Sequence, residues 1–358
     1  MSLPVPLRRA TRRLGWYQAP AEGRVGRLRL DFNENTAGAP PAALRALARL
    51  GRDQIASYPE YQPAERKLAR FLGVRPEQLT LTDGIDDALR VVADAFAEAG
   101  EPVLLVEPTF AMYRFYADLL GARVVTLRYD DRLRFPSDAV LRALRRERPR
   151  LFFLANPNNP TGDLRPLAEL RRILEAGRRT MIVVDEAYYE FSGVSVIGWI
   201  RRYPNLIVTR TFSKAAGLAG LRLGCLVSNA EVLGALRPLR APYSVNAAAL
   251  AAALAVIRDP GWMRRYVREV TRGRAELARA LGRLGVAAYP SAANFLLADF
   301  GPRGPALVRD LARRGILLRE RRSDFGRAGW VRITVGTRAQ TRLLIRELER
   351  WWKKNARS

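Results

Sequence analysis

The chain has 358 residues, a hydrophobic content of 48% and a formal net charge of +26. It contains no histidine and a single cysteine, Cys225, which excludes an internal disulfide, Ser-His and Cys-His nucleophile pairs and most zinc sites. No stretch approaches the roughly 20 consecutive apolar residues that a membrane-spanning helix needs, and the first residues lack the apolar core of a secretory signal. We therefore expect a soluble, cytoplasmic protein without a metal centre.

The positive charge raises the possibility of nucleic-acid binding, since a basic protein is attracted to phosphate polyanions. The arginines are distributed along the whole chain, however, in amphipathic segments such as 139–150 and 166–179. A general preference for arginine over lysine produces the same composition. A basic nucleic-acid-binding regulator is therefore kept as an alternative from a different class of protein.

The first two thirds of the chain predict a large α/β domain. Residues 1–38 are predicted to form an N-terminal arm and a segment of a smaller domain. In residues 39–240, short β-branched runs alternate with helical stretches, which is typical of a mostly parallel sheet flanked by helices. Its seven predicted strands are 78–82, 102–106, 123–126, 151–155, 181–185, 206–210 and 223–227.

The last third predicts a smaller α+β domain, residues 241–358. Two prolines between 237 and 242 interrupt the pattern, and a long alanine-rich helical region runs from 244 to about 284. Strands are then predicted near 295–299, 316–318 and 331–335, followed by a terminal helix from Arg338.

Lysine is rare in this chain, and this makes Lys214 informative. The other lysines are Lys67, Lys353 and Lys354, which lie in charged patterns typical of solvated surface. Only an ammonium can lose its proton, attack a carbonyl and form a Schiff base; a guanidinium cannot. Because Lys214 follows the strand 206–210, we predict that it carries amine chemistry.

Further polar groups follow neighbouring predicted strands. Asp185 ends the apolar run 181–185, with Tyr188 three residues later; an Asp in this position can also serve only as a helix cap. The segment 156–162 combines side-chain amides, two prolines and a glycine in a rigid turn. Because ligands of open α/β sheets bind beyond the carboxyl ends of the strands, we expect these groups and Lys214 to meet.

A phosphate site is predicted beside them. Residues 82–89 pass from a strand through Gly84 into an apolar-periodic helix, and the exposed N–H groups of a helix start bind phosphate. A glycine before a helix is common in α/β loops and is weak evidence alone. Ser213 and Arg222 flank Lys214 and supply a hydroxyl and a guanidinium suited to the same anion.

Nine segments, in order along almost the whole chain, resemble the fold type I enzymes that depend on pyridoxal phosphate, and among them the histidinol-phosphate aminotransferases. They include Asn-Glu-Asn at 33–35, Asp-Glu-Ala-Tyr at 185–188 and Thr-Phe-Ser-Lys at 211–214. The others are 58–60, 82–87, 108–113, 157–162, 215–224 as the continuation of the lysine segment, 242–246 and 331–337.

The resemblance implies a role for each of the groups predicted above. Lys214 would hold pyridoxal 5'-phosphate as a Schiff base and then move the substrate proton. Asp185 would pair with the pyridine nitrogen, Asn159 and Tyr188 would hydrogen-bond the phenolic oxygen, and Tyr113 would stack on the ring. The remaining cofactor-binding positions, which surround the phosphate, would be Gly84, Ile85, Asp86, Thr211, Ser213 and Arg222. Ile85 departs from the small or hydroxyl residue usual in the family.

The resemblance also implies a homodimer in which Tyr58 reaches the site of the other subunit. Arg332 would bind the anionic group of the substrate. Arg319 would be a second donor, or else one surface arginine among many. Tyr17 and Asn35, from the N-terminal arm, would close over the substrate.

The function implied is a ping-pong aminotransferase that passes an amino group from histidinol phosphate to 2-oxoglutarate in histidine biosynthesis. Two alternatives remain on the same scaffold. One is the threonine-phosphate decarboxylase of cobalamin biosynthesis, which differs in the substrate bond aligned for cleavage. The other is an aromatic or broad amino-acid aminotransferase, since an arginine can hold a carboxylate as well as a phosphate.

Overall fold

The computed structural model describes residues 22–355, together with residues 5, 8 and 10–14. Within these residues the strands are β1 Leu28–Arg29, β2 Leu79–Thr82, β3 Pro102–Glu107, β4 Arg123–Arg128, β5 Leu151–Ala155, β6 Met181–Asp185, β7 Leu206–Thr211, β8 Gly224–Val227, β9 Ala287–Ala288, β10 Phe295–Asp299, β11 Ile316–Leu317, β12 Arg319–Glu320 and β13 Trp330–Thr334.

The α-helices of the same residues are α1 Pro41–Ala48, α2 Arg52–Ala56, α3 Tyr61–Leu72, α4 Gly84–Phe96, α5 Ala111–Leu120, α6 Ser137–Arg146, α7 Leu167–Ala176, α8 Tyr189–Ser192, α9 Ala230–Leu236, α10 Ala247–Arg258, α11 Gly261–Arg283, α12 Gly304–Arg313, α13 Arg322–Phe325 and α14 Arg338–Asn355.

The large sheet has seven strands in the order β2-β8-β7-β6-β5-β3-β4. Strand β8 runs antiparallel to both of its neighbours, and the other adjacent strands are parallel. The α/β fold predicted from the alternating pattern is therefore confirmed. The carboxyl ends of β5, β6 and β7 lie side by side at one edge, which brings together the segments that follow them.

The central strands are buried because both faces of the sheet are covered. Every residue of β5 and β7 is buried, as expected for strands between two layers of helices. Two separate apolar clusters occupy the two faces of this sheet. Helix α4 begins at Gly84, directly after β2, so its start also lies at the ligand-binding edge.

A second, antiparallel sheet lies in the C-terminal part, in the order β12-β13-β10-β9. It packs with α11, α12 and α14 around its own apolar cluster. Strand β11, which was predicted as part of this lobe, pairs instead in parallel with β1. This pairing connects residues 28–29, within the predicted N-terminal segment 1–38, to the C-terminal part of the chain.

The alanine-rich region 244–284 consists of two helices, because Pro260 interrupts it. Helix α10 is capped by Asn246, whose side chain accepts a hydrogen bond from the Ala249 N–H at 2.7 Å. Its buried face packs against α1 and α3, within the core of the large sheet. None of the helices within residues 22–355 is both long and apolar enough to cross a membrane.

Candidate active site

A cavity of about 520 Å³ lies at the carboxyl edge of the large sheet. Eleven of the residues predicted from the sequence line it: Ile85, Asp86, Tyr113, Asn159, Asp185, Tyr188, Thr211, Ser213, Lys214, Arg222 and Arg332. They come from the starts of α4 and α5, the segments after β5, β6 and β7, and strand β13. The edge of the sheet therefore places them around one space, as the strand-end argument predicted.

Lys214 follows β7, in a turn closed by the hydrogen bond from the Gly217 N–H to the Lys214 carbonyl. Its Nζ donates a hydrogen bond to the carbonyl of Phe32 at 3.1 Å. Burial, and after it the positive charge of Arg332, lowers the pKa of Lys214 from 10.5 to about 8. The amine therefore loses its proton far more readily than an exposed lysine and can act as a nucleophile near neutral pH.

Asp185 ends β6 inside the protein, with three donors around its carboxylate. Tyr113 donates to Oδ2 at 2.7 Å, while Thr209 Oγ1 and the Ala187 N–H donate to Oδ1 at 2.9 and 3.0 Å. Burial raises the pKa of Asp185, and these three hydrogen bonds oppose that rise. Thr209 was not predicted; it lies opposite Asp185 in the register of β6 and β7.

Tyr113 is fully buried, and its ring is stacked against Phe153, with 5.0 Å between the ring centroids. Tyr113 also lines the cavity, together with Phe110. The expected stacking of Tyr113 on a cofactor ring remains a prediction.

Arg332 is buried on β13 and reaches across to the segment after β5. Its Nη1 donates to Asn159 Oδ1 at 2.6 Å, and its Nη2 donates to the Asp31 carbonyl at 2.6 Å. Tyr188 lies on the same side of the cavity, where its hydroxyl accepts a hydrogen bond from Asn33 Nδ2 at 3.0 Å. A guanidinium, an amide and a phenol thus converge beside Lys214.

The start of α4 and the loop before β8 form a compact cradle. Gly84 has a φ of +72°, and a Cβ built on it would lie 2.5 Å from Arg222 Nη2, so a side chain there would displace the guanidinium. Arg222 Nη2 also donates to Asp86 Oδ2 at 3.0 Å. N–H groups at a helix start, beside a guanidinium and the Ser213 hydroxyl, suit a phosphate group.

Four other predicted residues lie outside the lining of the cavity. Asn35 is buried and donates to the Ala215 carbonyl at 3.0 Å, so it contacts the lysine segment from behind. The guanidinium carbon of Arg319 lies 5.8 Å from the ring centroid of Phe32. Tyr58 is exposed, and Gly84 forms the cradle beneath Arg222. Tyr17 lies outside the described residues.

Arg321 lines the cavity, although the sequence interpretation selected Arg319. It is buried, and its Nε is hydrogen-bonded to Asp324, so the guanidinium is held in place. The signal that could have found it is the spacing of two residues from Arg319, which places both on the same face of an extended segment. Phe32, Asn33 and Glu34, from the Asn-Glu-Asn segment, also line this end of the cavity.

Comparisons with known proteins agree with this arrangement. A model of the family described as aminotransferase class I and II matches residues 26–348. A histidinol-phosphate aminotransferase of Roseiflexus castenholzii is 39% identical over 354 residues, which cover 95% of this chain and 92% of that relative.

Solved structures give the same picture. The histidinol-phosphate aminotransferase of Sinorhizobium meliloti in complex with pyridoxal-5'-phosphate superposes with a TM-score of 0.83 at 29% identity, covering 91% of each chain. The L-threonine-O-3-phosphate decarboxylase of Porphyromonas gingivalis superposes with a TM-score of 0.79 at 26% identity, covering 91% of this chain and 99% of that chain.

Lys214 and the buried carboxylate of Asp185 line one cavity at the carboxyl edge of a mostly parallel sheet, which is the arrangement expected of a fold type I pyridoxal-phosphate enzyme. The chain belongs to the aminotransferase class I and II family. The predicted fold type, enzyme class and cofactor, pyridoxal 5'-phosphate, are thereby confirmed. The cavity fits this cofactor, because an amine of lowered pKa and the carboxylate of Asp185 line it, together with Ile85, Asp86 and Arg222 of the cradle that Gly84 permits.

Proposed function

We propose that this chain transfers the amino group of histidinol phosphate to a 2-oxo acid, 2-oxoglutarate in the first instance, in histidine biosynthesis. The observation that carries the proposal is one cavity that contains Lys214 together with two buried arginines, Arg332 and Arg321. A reactive amine and two fixed cations suit a substrate with an amino group at one end and a phosphate at the other. Curated relatives named histidinol-phosphate aminotransferase support this choice.

The residues of the chain divide the chemistry between them. Bound pyridoxal phosphate supplies an electron sink for the bonds of the substrate's amino carbon. Lys214 would take the proton from that carbon and deliver it to the carbon of the cofactor that becomes its amine-bearing carbon, and the lowered pKa of Lys214 favours this role. Asp185 would keep a proton on the pyridine nitrogen, while Asn159 and Tyr188 would hold the phenolic oxygen.

The start of α4 would hold the phosphate of the cofactor. The backbone from Gly84 to Asp86 supplies N–H groups, and the side chains of Ser213 and Arg222 complete the cup. Thr211 supports this cup, because its Oγ1 accepts a hydrogen bond from the Ser213 N–H at 3.0 Å. Asn35 keeps the lysine segment in place through the Ala215 carbonyl.

The substrate is tested by one addition of amine to the cofactor-loaded protein, followed by absorbance. Histidinol phosphate should convert the cofactor stoichiometrically to its amine form, without release of carbon dioxide. Carbon dioxide released from threonine phosphate, with the original spectrum restored, would instead identify a decarboxylase like the Porphyromonas structure. Conversion by aromatic amino acids at equal efficiency would identify a broad aminotransferase.

The anionic end of the substrate is tested by replacing each arginine. Arg321→Gln and Arg332→Gln should each raise the KM for histidinol phosphate by about tenfold or more, because a charged hydrogen bond is lost. Arg319→Gln is the matched control, since Arg319 lies outside the lining of the cavity, beside the Phe32 ring. A larger effect in Arg319→Gln than in Arg321→Gln would restore the assignment made from the motif.

A homodimer belongs to the same proposal. Tyr58 is 75% exposed and is stacked on the exposed Tyr243, with 4.1 Å between the ring centroids. A stacked aromatic pair on the surface is suited to contact with a second subunit. We infer that Tyr58 acts in the active site of the partner.

Mixed dimers test this contribution. Lys214→Ala and Tyr58→Ala subunits are inactive or impaired separately, but their mixture should recover up to about one quarter of normal activity. The reason is that half of the dimers are mixed, and one of their two sites then has both normal residues. If Tyr58 served its own subunit, mixing would restore nothing.

Two further parts of the proposal concern organisation and location. We place two domains in the chain, with a boundary near Pro260 in place of the predicted 240/241, because α10 packs in the core of the large sheet. Limited proteolysis that cuts near residue 260 would support this boundary.

We also expect the enzyme in the cytoplasm, which fractionation of cells would test.

A further inference from the structure

We propose that Asn33 is a positioning residue that directs the hydroxyl proton of Tyr188 into the cavity. The receiving group would be the phenolic oxygen of the cofactor, so the inference rests on the proposed function. Asn33 lines the cavity beside Lys214, and its side-chain amide lies 3.0 Å from the Tyr188 hydroxyl.

The backbone of Asn33 is held firmly in an uncommon conformation. Its φ is +55°, in the left-handed region that asparagine and aspartate tolerate better than other side chains. Asn33 is 1% exposed, and its carbonyl accepts a hydrogen bond from Asn294 Nδ2 at 3.0 Å. Its N–H donates to Thr334 Oγ1, also at 3.0 Å. These two hydrogen bonds hold the Asn33 backbone on both sides of the residue, so the position of its side-chain amide is fixed.

The orientation of the amide follows from counting donors and acceptors. Thr334 Oγ1 accepts the Asn33 N–H, so its own proton needs an acceptor, and Asn33 Oδ1 lies 3.1 Å away. Thr334 is completely buried, and within the described residues its hydroxyl contacts no other hydrogen-bonding group. A flipped amide would leave that buried proton without an acceptor, at a cost of about 1–3 kcal/mol.

With Oδ1 turned towards Thr334, the NH₂ group faces Tyr188. An amide NH₂ only donates, so the Tyr188 oxygen accepts at this point and its own proton is available for the cavity. The charged groups that act on the phenol are Arg332, Asp185 and Arg321, and Lys214 Nζ lies 5.9 Å from its ring centroid. Burial raises the pKa of Tyr188, so it keeps its proton at neutral pH.

The substitution Asn33→Asp tests this direction with little change of shape. It keeps an acceptor for Thr334 and tolerates a positive φ, but it places an oxygen opposite Tyr188. The Tyr188 proton then turns towards the new carboxylate and away from the cofactor. Without this donor, the phenolic oxygen carries more negative charge. It therefore stabilises the proton on the neighbouring nitrogen of Lys214 more strongly, and the pKa of that nitrogen rises.

The readout is the pH midpoint of the absorbance change of the cofactor-loaded protein, measured in a double-mutant cycle. The new charge alone also raises the midpoint, and this part is measured by making Asn33→Asp in a Tyr188→Phe background. We expect the shift to be larger by about one pH unit when Tyr188 is present, which is the size of one hydrogen bond. Equal shifts in the two backgrounds would overturn the proposal.

A second pair of variants gives the same test if Asn33→Asp fails to fold. Thr334→Val removes the hydroxyl that orients the amide, whereas Thr334→Ser keeps it. The midpoint should rise in Thr334→Val only, and only when Tyr188 is present; a rise in Thr334→Ser of equal size would overturn the proposal. If the unaltered protein gives no cofactor spectrum, the proposed function fails. A normal spectrum with equal shifts rejects the role of Asn33 alone.

Discussion

The Tyr113 hydroxyl donates a hydrogen bond to Asp185 Oδ2 across 2.7 Å, in a position where Tyr113 is fully buried. Tyr113 comes from the first turn of α5, whereas Asp185 ends β6, so this contact links a helix start to the carboxyl edge of the sheet. It is one of three hydrogen bonds that oppose the rise which burial causes in the pKa of Asp185. The pKa of Asp185 therefore depends on Tyr113.

Tyr113→Phe should reduce the free energy of unfolding of the cofactor-free protein by about 1–2 kcal/mol at pH 7, because a buried acceptor loses a donor. Burial already holds the pKa of Asp185 above its unfolded value, and the loss of Tyr113 raises it further. The deficit should therefore shrink as the pH falls below that pKa, where the carboxyl is protonated. Urea unfolding at several pH values measures this.

Tyr116→Phe is the control for Tyr113→Phe, since Tyr116 lies on the same helix and its hydroxyl has no hydrogen-bond partner among the described residues. It should leave the stability almost unchanged at each pH. An equal loss in both variants would show that the hydrogen bond to Asp185 contributes nothing.

Gly84→Ala should lower the affinity for pyridoxal phosphate as well as the stability of the fold, whereas a matched glycine variant should lower the stability alone. The positive φ of Gly84 makes any side chain unfavourable by about 1–2 kcal/mol, and the added Cβ would also meet Arg222 Nη2. Gly73 has almost the same φ, +73°, with nothing within 4 Å of a built Cβ. Gly73→Ala therefore has the backbone cost without the clash.

Gly84→Ala should lose only slightly more stability in urea than Gly73→Ala, because the clashing atom is the movable end of the Arg222 side chain. Only Gly84→Ala should raise the Kd for pyridoxal phosphate, by about tenfold or more. The Kd is measured by fluorescence titration of cofactor-free protein. Equal affinities in the two variants would exclude the start of α4 as the phosphate site.

Much of the site was predictable because parallel strands place their carboxyl ends at one edge. Lys214, Asp185 and Asn159 follow β7, β6 and β5, so sequence position alone brought them together. Lys214 could be selected because arginine cannot replace its chemistry.

Contacts between distant segments could not be predicted from the sequence. The hydrogen bonds of Asn33 with Thr334 and Tyr188 depend on how the Asn-Glu-Asn segment packs between the two sheets. No local pattern encodes that packing. The choice between Arg319 and Arg321 likewise depends on the short strand β12, which pairs with β13 over only a few residues.

The rate at which cofactor-free protein captures pyridoxal phosphate should rise with pH up to about 8 and then level off. Only the free amine of Lys214 attacks the aldehyde, and its pKa is lowered to about 8 by burial and then by Arg332. Stopped-flow absorbance between pH 6 and 10 measures the midpoint. A midpoint near 10 would mean that Lys214 is as basic as an exposed lysine.

Arg332→Gln should move this midpoint to higher pH, because one positive charge beside the amine is removed. Arg319→Gln is the matched variant, since Arg319 is not among the charges that act most strongly on Lys214. An equal shift in both variants would show that the total positive charge of the chain, and not the position of Arg332, sets the pKa.

The ion pair between Arg210 and Glu186 should be among the most sensitive points of the fold. Arg210 Nη2 lies 2.7 Å from Glu186 Oε2, and both side chains are almost completely buried. Glu186 also accepts hydrogen bonds from Ser195 Oγ and the Val196 N–H, which fixes the segment that follows Asp185. Loss of this pair would therefore disturb both stability and the active site.

Arg210→Met should lower the free energy of unfolding by about 3–5 kcal/mol, because the charge of Glu186 remains buried without a partner. Burial raises the pKa of Glu186 and Arg210 opposes this, so the variant carries a still higher pKa. The native state then binds more protons than the unfolded state above pH 4.5, and the loss of stability should grow as the pH rises.

Arg210→Met with Glu186→Gln should recover most of the loss, whereas Arg283→Met, which breaks the exposed pair with Glu349, should change little. Urea unfolding from pH 5 to 8 compares the three variants, and a deficit that stays constant with pH would contradict an ionised Glu186.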